Sequence, residues 1–177
     1  MNTFLVNARD MNPEPHLEAL IRFPDCDPFG HLNNAKYLTY FVNAREDHVR
    51  EYYGFDTYVH AQTTGRSWVV RSANVAFAVP ALNNDRVRIS SRLIGLSPNQ
   101  LRIEGIMEST RGIHSVSWVE LTYVEMATGR PVKHEADLQE LFDNLLAPVQ
   151  DDKDLEARVR ALRRGRKANE QRELAAH

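Results

Sequence analysis

The stretch Asp25-Cys26-Asp27-Pro28-Phe29-Gly30-His31-Leu32-Asn33-Asn34-Ala35-Lys36-Tyr37 decides how the chain is read. It is a dense polar cluster between a short apolar run and a long segment free of Pro and Gly. Asp27-Pro28-Phe29-Gly30 suits a type I turn, with Asp at the first position, Pro at the second and Gly at the fourth. Asn33 and Asn34 follow, and either side chain can cap a helix. The segment from Ala35 to about Tyr53 places Tyr37, Tyr40, Phe41, Ala44 and His48 at helical spacing, and Leu38, Phe41, Val42, Val49 and Tyr52 on a neighbouring face. A helix apolar over that much of its circumference is expected to be buried on most sides. Gly54 is its expected terminator.

Working outward, Leu17 to Phe23 is short and apolar-rich and predicts a strand that Pro24 ends. On the other side, Ser67 to Val79 is rich in β-branched and aromatic residues, and Asn83-Asn84-Asp85 marks a turn. Arg86 to Leu96 alternates, with Val87, Ile89, Ser91 and Leu93 on one parity, and Ser97-Pro98-Asn99 turns again. Leu101, Ile103, Gly105 and Met107 alternate, Arg111-Gly112 turns, and His114 to Met126 makes a long strand closed by Thr128-Gly129-Arg130-Pro131. Strands joined by short turns predict an antiparallel meander. One strand, one long helix and four strands predict an α+β layer with the helix on the apolar face of a single sheet. Residues 137–146 predict a short helix. The organisation expected is a loose N-terminal arm at 1–16, holding Pro13 and Pro15, a domain at 17–147, and a charged, helical tail at 148–177. Arg158, Arg160, Arg163, Arg164, Arg166 and Lys167 crowd into that tail, diluted by acids, which predicts a solvated helix.

The 177 residues suit one domain with a tail and suffice for a core without disulfides. A net charge of -2 gives no global field for nucleic acid, and no nucleic-acid partner is expected. The single cysteine, Cys26, excludes an intramolecular disulfide and any CxxC site. No apolar run approaches a bilayer span, and Met1 to Asn12 shows no secretory pattern, so a cytoplasmic protein without a membrane partner is expected. There is no GxSxG elbow, P-loop, GxGxxG or HExxH, and the seven histidines show no metal-ligand spacing. No metal and no cofactor are expected.

The chemistry therefore concentrates in the quoted segment. A turn ending at a helix places Asp27 beside unpaired backbone N–H groups and a partial positive charge, which suit an oxyanion. A carboxylate there can attack a carbonyl or deprotonate the water that does. His31 and Asn33 can orient water or the carbonyl. Against this stand plain roles: Asp27 as turn former, Asn33 and Asn34 as caps, Cys26 as a small buried residue.

With Leu38-Thr39-Tyr40-Phe41-Val42-Asn43-Ala44-Arg45 following it, this segment resembles the 4-hydroxybenzoyl-CoA thioesterase family of hotdog proteins, in which D-x-D-x-x-G-x-x-x-x-x-x-Y precedes a long helix. His31, Asn33, Asn34 and Tyr37 also resemble the H-x-N-N-x-x-Y variant of acyl-ACP thioesterases. The resemblance implies a hotdog fold, an antiparallel sheet wrapped around one long central helix. It implies hydrolysis of an acyl thioester, most readily an acyl-CoA or an acyl carrier protein thioester. Asp27 matches the family's catalytic carboxylate as base or nucleophile, and His31 and Asn33 match positions with catalytic roles. Gly30, the N–H near Asn34 and Tyr37 fall on the substrate side, Tyr37 more as a structural residue. The family builds its sites across the interface of homodimers, often within homotetramers. Two departures stand out: Val42 replaces a helix glutamate common among relatives, and Ser97-Pro98-Asn99 lacks the positive charges some relatives offer to CoA phosphates. The rivals are a hotdog dehydratase or hydratase, a non-catalytic acyl-thioester-binding module, and a nucleic-acid-binding module with a basic tail.

Overall fold

The computed structural model describes residues 11–150 and 154–175, apart from the side chains of residues 170, 173 and 174. The first ten residues of the expected arm, and residues 151–153 and 176–177 of the expected tail, lie outside the described residues. The chain runs β1 (His16–Leu20), α1 (Asn34–Tyr53), α2 (Thr57–Thr64), β2 (Arg66–Phe77), β3 (Arg86–Ser97), β4 (Gln100–Ser109), β5 (Gly112–Glu125), α3 (Ala136–Leu145) and α4 (Leu155–Ala175). The strands form one antiparallel sheet in the order β1-β3-β4-β5-β2; the expected meander holds for β3, β4 and β5, while β2, expected to lead it, pairs with β5 instead and lies at the far edge from β1. With α1 laid across it, this is the α+β hotdog arrangement.

The first strand is shorter than expected. Phe23–Asp25 forms a 3-10 turn with Pro24 in its first turn, and the strand stops before it. Helix α1 begins where Asn33 Oδ1 accepts from Ala35 N at 3.0 Å and ends at Gly54, whose φ of 63° is the left-handed conformation a C-cap favours. Helix α2 was not foreseen. Its signals were local and brief: Asp56 accepts from Tyr58 N and Val59 N, and Gly65 ends it at φ 70°.

Tyr37, Phe41, Ala44 and His48 form a buried stripe at alternating spacings of four and three, and Tyr53 extends it. The first half of the stripe packs with Leu32, Val87, Ile89 and Met107. Tyr53 joins Phe55, Leu93, Leu101 and Ile103 with the leucines of α3. Burial on most sides does not hold: Val42 is 47% exposed, and it borders open space between α1 and the strands rather than packing tightly on them. Close approach of α1 depends on Gly105. A Cβ there would lie 2.6 Å from Phe41 Cδ1 and 2.7 Å from Ser117 Oγ, so only hydrogen leaves room for the Phe41 ring on β4.

The opposite face of the sheet carries the main correction. The tail is not merely a solvated helix. Leu155, Val159 and Leu162 fall on one stripe of α4 and pack on Ala76, Ile106, Ile113 and Val116. Glu104, fully buried, accepts from Arg158 Nε at 2.8 Å and Nη2 at 3.0 Å and from Trp118 Nε1 at 3.1 Å, with Arg92 Nε also at 3.0 Å. This fork-on-carboxylate geometry satisfies a charge that would be costly to bury alone. The apolar stripe was too sparse among the arginines to be read as a packing face.

Two expected outcomes follow from this packing. Gly105→Ala forces Phe41 or Ser117 to shift and lowers stability by about 1–3 kcal/mol, readable as a fall in the urea midpoint. His48, 1% exposed, is pushed down to about 4 from 6.5 by burial and by the Arg45 cation, and burial lowers His60, His114 and His134 as well. The unfolded chain therefore binds the proton first. The stability contributed by neutral His48 is complete above pH 6.5 and is lost as pH falls towards 4. Urea midpoints measured across that window fall with pH, and His48→Gln makes the slope shallower.

Candidate active site

The segment before α1 is a small hydrogen-bonded hairpin. Asp27 N donates to His31 O at 2.7 Å, Cys26 pairs with Leu32, and Asn33 N donates to Asp25 O at 2.9 Å. Gly30 N returns to Asp27 O at 3.0 Å, closing the expected turn, and Gly30 takes a φ of 76°. The returning arm is anchored to the loop ahead of β3 through Leu32 N on Ala81 O at 2.8 Å and Asn83 N on Gly30 O at 3.0 Å. Asp27 is thereby held opposite His31, two pairs from the residue that caps α1.

Asp27 Oδ1 accepts from Phe29 N at 2.9 Å and His31 N at 3.0 Å. The turn-forming role is thus present in full, but it uses only one carboxylate oxygen. Oδ2 makes no hydrogen bond with the described residues. Neither does the N–H of Asn34, the first residue of α1, which leaves an unpaired donor at the positive end of a 20-residue helix. Asn33 spends its side-chain oxygen on the cap, and its backbone oxygen accepts from Lys36 N at 2.8 Å. The half-buried His31 ring lies 6.2 Å from the ring of Phe29, which is 82% exposed.

Tyr37 stands apart from the loop's surface. It is buried in the core, its hydroxyl accepts from Ala81 N at 3.1 Å, and its ring meets Phe77 edge-on at 5.1 Å. That placement is structural and offers no surface to a substrate. Cys26 donates to Arg22 O at 3.4 Å, and burial pushes its thiol up, away from nucleophilic use. Asp25, quoted in the motif without a role, turns out to staple the hairpin to α1. Lys36 Nζ lies 2.9 Å from it and Tyr40 donates to it at 3.0 Å, and these two contacts hold its carboxyl below its ordinary value. Its spacing to Lys36 and Tyr40 could have signalled this only once the hairpin was known to fold back.

Beside α1 lies an apolar slot in two compartments that share Val42, Arg45, Ile103 and Leu121. One is about 270 Å³ and is walled by Val49, Tyr53, Trp68 and Phe142; the other is about 130 Å³ and is walled by Phe41, Val70, Gly105 and Val119. Arg66, Arg71 and Arg111 are already engaged by carboxylates: Arg66 pairs with Glu125 and Glu135, Arg71 lies 3.8 Å from Glu120, and Arg111 pairs with Asp85 at 2.8 Å. Among the described residues, no three His, Cys, Asp or Glu side chains are grouped so as to hold a metal ion, and no helix is long and apolar enough to cross a membrane.

Residues 21–142 match the family model of the thioesterase-like superfamily. Among solved structures, a thioesterase from Thermus thermophilus complexed with coenzyme A and zinc is similar at 26% identity and a TM-score of 0.64, over 79% of this chain and 99% of that one. The DHNA-CoA thioesterase of Staphylococcus aureus is similar in fold at 18% identity and a TM-score of 0.68, over 75% and 90%. The probable thioesterase YbaW of Escherichia coli shows 20% identity and a TM-score of 0.64, over 75% and 98%. A search of curated proteins finds no match. A match spanning most of the chain, together with the fold described above, places this protein in the thioesterase-like superfamily of hotdog proteins.

Proposed function

We propose that this protein hydrolyses an acyl thioester, most readily an acyl-CoA, to a free acid and a thiol. The observation that carries the reading is that, among the described residues, one carboxylate oxygen of Asp27 and the N–H of Asn34 are both left uncommitted, on a hydrogen-bonded hairpin and the helix start it leads into. The thioester oxygen docks on Asn34 N–H, where the helix terminus stabilises the charge that develops on it. Asp27 Oδ2 takes a proton from water as the water oxygen bonds to the carbonyl carbon. The C–S bond then breaks, and the thiolate leaves and recovers the proton. Alternatively Oδ2 attacks the carbonyl itself and water resolves the resulting anhydride. His31 flanks the reacting groups, Asn33 fixes the helix terminus, and Gly30 gives the turn its shape. The acyl chain lies in the slot beside α1, with no metal or redox group required for any step.

The reading also involves a second copy of the chain. β2 is a 12-residue edge strand, and Val69, Val70 and Phe77 on it are 48%, 58% and 46% exposed; Val70 borders the slot with Val42, itself 47% exposed. A long apolar edge is a template for pairing with another strand. Pairing of two β2 edges would close the slot's open side, consistent with a homodimer or an assembly of dimers.

Thiol release from a panel of acyl-CoA and acyl carrier protein thioesters tests the function. The wild type turns over at least one, and Asp27→Asn, which keeps the shape, loses about 10²- to 10⁴-fold in kcat while its melting temperature stays close to wild type. Tight binding of thioesters without turnover would favour the non-catalytic module instead. Sedimentation tests the assembly: the wild type runs as a dimer or larger, and Val70→Lys, placing like charges across the edge, shifts it to monomer and lowers turnover.

A further inference from the structure

Arg45 is the one charged side chain that lines both compartments of the slot. It is half-buried, its Nη1 donates to Ser91 Oγ at 3.3 Å, and its guanidinium carbon stands 5.5 Å from the centre of the Tyr53 ring. No carboxylate of the described residues lies within 4.0 Å of it. Glu46 also borders the larger compartment, but it is mostly exposed and faces Arg50 at 3.9 Å. Ser91 Oγ is shared with His48 Nδ1 at 2.8 Å, so the hydroxyl beside Arg45 is already engaged by a neutral ring. Loss of water around the guanidinium disfavours its charged form, and Tyr53 opposes this only in part.

A cation withdrawn from water without a counter-charge is costly, and an apolar residue at the same place would carry no such cost. A guanidinium offers five donors in a planar fork that matches a carboxylate. Its surroundings in the smaller compartment are mostly apolar, Phe41, Val42, Ile103, Val119 and Leu121, with the Ser91 and Ser117 hydroxyls as the polar exceptions. A channel lined this way, with one unmatched cation in its wall, fits a chain of methylenes ending in an anion.

We propose that the slot selects an acyl group whose far end carries a carboxylate, so that the substrate is the monothioester of a dicarboxylic acid and Arg45 is the residue that recognises it. This rests on the thioesterase reading above. Arg45 lies eleven positions along α1 from Asn34, about 16 Å of helix rise, and side chains lean towards the helix N-terminus, which shortens the gap. A thioester at Asn34 and a carboxylate at Arg45 therefore call for a chain of intermediate length. A methyl-ended acyl group of equal length would strip water from the guanidinium and give nothing in return.

The test compares thiol release by the wild type from CoA monothioesters of saturated α,ω-dicarboxylic acids of increasing length with release from straight-chain acyl-CoAs of equal length. The expected result is a preference in kcat/KM of about 10- to 100-fold for the carboxyl-ended member of the best length, the value of one charge-assisted contact. In Arg45→Gln that ratio falls to near one, and in Arg45→Lys part of it remains. A wild type that favours methyl-ended chains, or an Arg45→Gln ratio equal to wild type, overturns the proposal while leaving the thioesterase reading intact. Calorimetric binding of the free dicarboxylic acid against the monocarboxylic acid of equal length reads the same site without turnover. If no thioester is hydrolysed, the thioesterase reading fails, and the calorimetric preference and its loss in Arg45→Gln still decide whether the anion site exists.

Discussion

The distance between α1 and the sheet is the constraint on which the rest of the structure depends. Phe41 reaches β4 because Gly105 has no side chain, and a Cβ there would sit 2.6 Å from the ring. That contact seats the first half of the helix among Leu32, Val87, Ile89 and Met107. The Asn33 cap sets where the helix begins, and the seating of Phe41 sets how that start lies against the sheet. Further along, the same seating leaves the slot between α1 and the strands, bounded by Val42 and Arg45 on the helix and by Ile103 and Leu121 on the sheet. Packing in the core and shape of the candidate site are thus one geometric problem.

The hairpin ahead of α1 adds precision of a different kind. Its backbone bonds at Asp27, His31 and Asn33, and the Asp25 contacts with Lys36 and Tyr40, tie a loop to a helix by short polar links. A site made of a backbone donor and a carboxylate needs such rigidity, because both groups must already point at the place where charge develops. On the far side of the sheet, the fork of Arg158 on buried Glu104 fixes α4 over Ile106 and Val116. The sheet is therefore covered on both faces, and its one long exposed apolar edge among the described residues is β2.

Much of this was legible in the chain. The alternation of Leu101, Ile103, Gly105 and Met107 gave the face of β4 that meets the helix, and the run from Ala35 to Tyr53 gave the helix itself, because periodic burial leaves a periodic record. The D-x-D-x-x-G pattern with its helix pointed to the family. What was missed had no periodic record. Helix α2 is eight residues long, and its cap, Asp56, resembles any loop aspartate. The packing of α4 depends on Glu104, a charge on the parity expected to face solvent. Arg45 gave no signal either: one arginine in a helix is ordinarily solvated, and only the surrounding walls make it exceptional.

The central claim is geometric: a thioester carbonyl rests on Asn34 N–H with Asp27 Oδ2 beside it. A crystal structure with an acyl-CoA analogue that carries a ketone in place of the thioester tests it most directly. The account predicts the ketone oxygen within hydrogen-bond distance of Asn34 N, Asp27 Oδ2 facing the carbonyl carbon or a water next to it, and the acyl chain running along α1. A ketone bound away from the helix N-terminus, or an Asp27 carboxylate with both oxygens taken up by the loop in the complex, would contradict it.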